Sequence, residues 1–204
     1  MSRALLLSLL LALTVSAPAQ GQVLGMGSVL PGGNAAASVS VVNTATAGTL
    51  YSVTVPATIF QQFATGQRGA TRLHTKLVGY LSTHSTTDSV GRVNLGCNFG
   101  GSTATIALLN AFTWPKGLSS VPMTIDLWLA ADSAGTGQVL FGQLATGQNT
   151  NSDATRNEQN TIMALVVGTT GMNANRTLTC SWQWASAAAL NGVTISNGIT
   201  VVGE

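Results

Sequence analysis

The stretch Thr177-Leu178-Thr179-Cys180-Ser181-Trp182-Gln183-Trp184 constrains this chain more than any other. Leu178, Cys180, Trp182 and Trp184 alternate strictly with Thr179, Ser181 and Gln183, the period of a strand with one apolar and one hydroxyl-rich face. Two tryptophans two residues apart carry more apolar area than any other short segment, so the core is expected to form around them. After a small-residue turn at Ala185–Ala189, Gly192–Val202 repeats the rule, with Val193, Ile195, Ile199 and Val201 expected inward.

The same alternation recurs upstream. Leu50–Val55 alternates and stops at Pro56. Ala57–Gly69 reads as a loop, with one helical turn around Ile59–Phe63. In Arg72–Leu81, Leu73, Leu77 and Leu81 point one way, and Arg72, His74, Lys76 and Tyr80 the other. Val90–Leu95, Thr103–Leu109, Val139–Leu144 and Thr161–Val167 are further strands. Between them, Trp114-Pro115-Lys116-Gly117 reads as a turn. Val121–Ala130 sets Val121, Met123, Ile125, Leu127 and Leu129 against Thr124, Asp126 and Trp128. The 23 glycines and five prolines punctuate eight or nine short strands. Each strand has one apolar face that needs a facing sheet, which predicts an all-β, antiparallel two-sheet sandwich.

Three segments follow. Residues 1–19 look like a secretory signal: Arg3, an apolar run Ala4–Val15, and Ser16-Ala17-Pro18-Ala19 as the exit, with cleavage after Ala19. That run is short beside the roughly 20 residues of a membrane span. The rival is a retained apolar helix packed within an assembly. Residues 20–48, rich in Gly, Ala, Ser and Val, read as an extended arm or linker with one edge strand at Ala37–Val42. Residues 49–204 form the sandwich domain.

Charged residues make up only 7% of the 204, against roughly a quarter in an ordinary soluble domain. A surface so short of charge suits extracellular β proteins or subunits buried against neighbours. The net charge is +2 and the basic residues are scattered, which argues against nucleic acid as a partner.

Catalytic chemistry is hard to find. His74 sits mid-strand and His84 in a turn, and the six acids show no spacing for a metal loop or a carboxylate pair. No nucleophile elbow, phosphate loop or dinucleotide fingerprint occurs; Gly25-Met26-Gly27 and Gly135-Thr136-Gly137 read as turns. No catalytic residue, metal or cofactor is therefore expected. Asn175-Arg176-Thr177 fits a glycosylation acceptor, a match expected by chance in so Asn- and Thr-rich a chain. Cys97 and Cys180 form one disulfide if the chain is exported, or else are two small buried hydrophobes. The longest polar tract, Ala145–Asn160, is of a length that is functional or mobile in a compact domain. Trp128, on an outer face, marks a contact surface or packs under a loop.

The order of these pieces resembles a known family. A strand like Leu50–Val55 is followed by the Leu-x-x-x-Leu-x-Gly-x-Leu run of Leu73–Leu81 and the Val-x-Leu-Gly of Val93–Gly96. Then come Met123–Leu129 and a terminal Leu-Thr-x-x-Trp-Gln-Trp-Ala-Ser-Ala block running into Val-Thr-Ile. Over roughly Leu50–Val202 this is similar to the jelly-roll-like β-sandwich modules of tailed-bacteriophage structural proteins: head fibres, decoration proteins and tail-associated fibres. The signal-like N-terminus departs from their pattern. The resemblance implies a non-enzymatic virion subunit forming a homo-oligomer, with a trimer favoured, in contact with other virion proteins. Trp128 and the polar tract with Asn149, Asn151 and Arg156 would then meet a neighbouring subunit or a host-surface glycan. The competing readings are a secreted carbohydrate-binding sandwich, with Trp128 or Trp114 as stacking platform, and a secreted hydrolase on the same frame.

Overall fold

In the computed structural model, Trp182 and Trp184 are wholly buried and meet edge to face, with ring centroids 5.4 Å apart. The structure describes residues 29–35, 38–57, 59, 72–83, 86, 92–100, 105–131, 138–147, 160–168 and 174–203. Among these lie eleven strands: β1 (Val29–Ala35), β2 (Val39–Val42), β3 (Gly48–Val55), β4 (Arg72–Ser82), β5 (Arg92–Phe99), β6 (Thr105–Thr113), β7 (Val121–Ala131), β8 (Gln138–Thr146), β9 (Asn160–Gly168), β10 (Arg176–Trp184) and β11 (Gly192–Val202).

The strands form two antiparallel sheets. The larger, seven-stranded sheet runs β1-β11-β4-β7-β8-β9, with β2 also paired to β11; the smaller runs β3-β10-β5-β6. The chain passes from sheet to sheet at six of the ten connections between these strands, so that β2-β11-β4-β7 lies in one layer and β3-β10-β5-β6 in the other. This is the two-layer jelly-roll arrangement, widened at one side by the β7-β8-β9 meander. The fold class expected from alternation is the one observed.

The core lies between the layers. Leu73, Leu77, Leu81, Ile125, Leu127, Leu129, Leu140, Leu144 and Val193 come from the larger sheet. Val53, Val93, Leu95, Phe99, Leu178 and the two tryptophans come from the smaller. Fully burying one such aliphatic or aromatic side chain contributes roughly 1.5–3 kcal/mol, so period-2 patterning over many strands decides the architecture. A hydroxyl chain crosses this layer. The Tyr51 hydroxyl lies 2.7 Å from Thr200 Oγ1, which in turn lies 2.7 Å from Thr75 Oγ1, all three residues being buried.

Three expectations change. First, the sandwich begins inside the stretch read as an arm: besides β2, which falls within the edge strand expected at Ala37–Val42, β1 also hydrogen-bonds to β11. Small side chains did not prevent pairing, because the backbone supplies the ladder. Buried Leu30 and Val41 anchor the two strands, and the Trp184 indole N–H donates to the Val41 carbonyl at 3.4 Å.

Second, Ile199 and Val201 do not face the core. A bulge between Ile195 and Asn197 adds one residue against β4. The inward set therefore switches from Val193 and Ile195 to Gly198, Thr200 and Val202, leaving Ile199 and Val201 on the outer, partly exposed side. A second irregularity, opposite Cys180 and Ser181, lets consecutive Leu50 and Tyr51 both be buried.

Third, Trp114 is only 1% exposed. Thr83 pulls its turn inward: its hydroxyl donates to the Pro115 carbonyl at 2.7 Å and accepts from Leu118 N–H at 3.0 Å. Most of the turn proposed at Ile59–Phe63 lies outside the described residues.

Candidate contact surface

β4 and β7 pair without a register shift, and this places His74 directly opposite Trp128 on the outer side of the larger sheet. The two rings stack, with centroids 4.9 Å apart and planes 3° from parallel. Across the next ladder Trp128 faces Phe141 on β8, at 5.2 Å and a tilt of 41°. In the other direction His74 faces Val201, and Val201 faces Val29 on β1. One row therefore crosses five strands: Val29, Val201, His74, Trp128, Phe141. Its centre is flanked on both sides, and its end is open, with Val29 41% exposed. The bulge in β11 is what brings Val201 into this row.

The next row holds the charge. Ile199, Lys76, Asp126 and Gln143 are successive register partners. His74 Nε2 lies 2.9 Å from Asp126 Oδ1, with both side chains mostly covered. The contact runs diagonally across the β4–β7 ladder, within the reach of neighbouring side chains on one face. It turns the imidazole so that its flat side lies along Trp128.

Further along the same face a shallow depression of about 190 Å³ is lined by Val78, Pro122, Met123, Thr124, Ala145 and Gly147. Beside it Val78 and Tyr80 are 38% and 42% exposed. The outer face of the larger sheet thus carries Lys76 and Asp126 between the aromatic row and the apolar depression, with exposed Arg72 on β4 beyond that row.

The two cysteines are joined. Cys97 on β5 and Cys180 on β10 are direct register partners and form a disulfide, buried between the sheets. Asn175 is exposed, and its side-chain carbonyl accepts from Ala57 N–H at 3.0 Å. Asn149, Asn151, Arg156 and His84 lie outside the described residues. Among the described residues no three His, Cys, Asp or Glu side chains group as metal ligands would, and no helix is long and apolar enough to cross a membrane.

Sequence reasoning named Trp128 as outward but missed its partners. His74, Asp126 and Phe141 come together only through the β4–β7 and β7–β8 ladders. The one signal was that His74, Asp126 and Trp128 each sat on the polar side of its own strand.

No family model and no curated protein matches the sequence. Solved structures with some likeness include lectin I of Ulex europaeus with the methyl glycoside of α-L-fucose, at 7% identity and TM-score 0.36, covering 65% of this chain and 72% of that one. Peanut lectin with a nine-residue peptide matches at 10% identity and TM-score 0.39, over 87% and 89% of the two chains. Lectin UEA-II with galactose matches at 9% identity and TM-score 0.38, over 82% and 86%.

Proposed function

We propose that this protein is a non-enzymatic virion structural subunit, a jelly-roll building block of the head-fibre, decoration or tail-associated kind, acting through contacts with copies of itself and with neighbouring virion proteins. The observation that carries the reading is the outer face of the larger sheet. Its row from Val29 to Phe141 is pre-packed, ring against ring, and its margins at Val78 and Tyr80 are apolar. Such a face suits burial against another protein surface. The resemblance of Leu50–Val202 to phage modules, and the scarcity of charge, point the same way. Quantitative mass spectrometry of purified particles tests it. The reading expects the chain at a fixed copy number, with Met1 or Ser2 as its N-terminus. Absence from particles overturns it.

A second reading, an exported carbohydrate-binding module, draws support from the disulfide, since such bonds persist in oxidising compartments. It places the sugar on the outer face at Trp128. Trp114, being buried, drops out as a platform. His74 already lies flat on Trp128, which leaves less ring face for a sugar to stack on. Gln20 at the mature N-terminus, together with glycan-array binding lost on Trp128→Ala, would favour this reading over the first.

A further inference from the structure

The two sides of the larger sheet end differently. On one side lie β1, which contains Pro31 and shifts register between Val29 and Asn34, and β2, only four residues long. A missing N–H, an irregular ladder and a short strand are all ways of blunting an edge. On the other side lies β9, nine residues reading Asn-Thr-Ile-Met-Ala-Leu-Val-Val-Gly, with no charge and no proline. It pairs with β8 in unbroken register from Asn160 to Gly168, and among the described residues no strand pairs with its far side. β6, the end strand of the smaller sheet, packs beside β9 and is equally free of charge and proline. In an antiparallel strand, alternate residues turn both N–H and C=O to the same side. About half of β9 therefore turns its hydrogen-bonding groups away from β8, the template that an edge strand offers to another chain.

We propose that β9 pairs antiparallel with β9 of a second copy, joining two seven-stranded sheets into one across a twofold axis. This rests on the reading of the chain as an assembly subunit and names the edge through which copies join. Self-pairing fits because the strand carries no charge to oppose its own image. A twofold axis perpendicular to the layers also brings β6 toward β6 of the second copy, so that both sheets meet their continuation.

The test uses the full-length, oxidised chain in sedimentation equilibrium, with Ala164→Pro and Leu165→Pro made separately. These positions are adjacent, so one substitution removes an N–H from the outer edge and the other removes one from the β8 side. The proposal expects the outer-edge variant to keep its circular dichroism spectrum while its dimer weakens at least tenfold. A proline can unfold the sheet, so single cysteines at Thr161, Met163 and Leu165, the register partners of Ala145, Gln143 and Phe141, provide a second reading. The native cysteines are already paired, so each is the sole free thiol. Mild oxidation should give a covalent dimer from at least one β9 position and none from Thr49→Cys on β3, at the opposite side. A chain monomeric at every concentration overturns the proposal. So does an oligomer that ignores both prolines and yields no β9 cross-link, although that result leaves the assembly reading standing, since presence in particles is measured independently.

Discussion

Gly79 on β4 lies directly against the backbone carbonyl of Thr194 on β11. A methyl group at Gly79 would overlap that oxygen and come within 3.0 Å of Ile195 Cα. The contact sits just before the β11 bulge, where the strand moves over its neighbour and changes which residues face the core. Gly79 is thus the position on β4 that gives the bulge room, and the bulge is what turns Val201 outward toward His74.

Gly79→Ala is therefore expected to destabilise the fold by roughly 1–3 kcal/mol or more, because the obstruction is backbone and cannot rotate away. Gly147→Ala is the control. Its added methyl would meet only Pro122, at 3.6 Å or beyond, and should change stability by less than about 0.5 kcal/mol. Urea unfolding of both variants checks this; equal stabilities would remove Gly79 from the account.

Thr200→Val takes one bond from Tyr51 and one from Thr75 while keeping the volume. A loss of about 1–3 kcal/mol is expected for breaking buried hydroxyl bonds. An unchanged denaturation midpoint would mean that the chain of hydroxyls contributes nothing to stability.

Burial holds the Tyr51 phenol above its ordinary value of 10.0, with the Thr200 bond pulling in the other direction. Below pH 10 the phenol is neutral in both folded and unfolded chains, and its contribution is intact. As pH rises further the unfolded chain ionises first, so stability falls until the folded phenol ionises too. Denaturation midpoints between pH 8 and 11 should fall more steeply for the natural protein than for Tyr51→Phe. Parallel curves would contradict the assignment.

The disulfide closes a loop of sequence separation 83, and its loss should cost about 2–5 kcal/mol. Thermal melts of the paired Cys97→Ala, Cys180→Ala variant against the oxidised chain read this directly. An unshifted melting temperature would show that the bond adds no stability.

Much of the sandwich was legible because alternation is local. β4, β7 and β10 each announced their inner faces residue by residue, and their core positions stand where the pattern put them. The misses all depend on a neighbouring strand or loop. β11 reads as one continuous alternation until Gly79 and the bulge beside it reverse its phase. β1 lacks the large side chains that mark a strand and is held by its backbone ladder and buried Leu30, whereas β2 falls within the edge strand expected at Ala37–Val42. Trp114 looks exposable in its turn until Thr83, just past the end of β4, draws that turn inward. The contact row was illegible for the same reason: β4 and β7 are neighbours in space but not in sequence, so nothing local joins His74 to Trp128.

Trp128→Ala should leave the fold intact at a cost of about 1–2 kcal/mol, since the ring is only partly buried. The same change should weaken incorporation into particles. Retained incorporation would move the contact surface off this face.

The central claim is that the chain works by being built into something, and the native mass of the intact protein tests it most directly. Sedimentation equilibrium over a hundredfold range of concentration should show a discrete homo-oligomer that dissociates on dilution. A single monomeric mass throughout that range would contradict it.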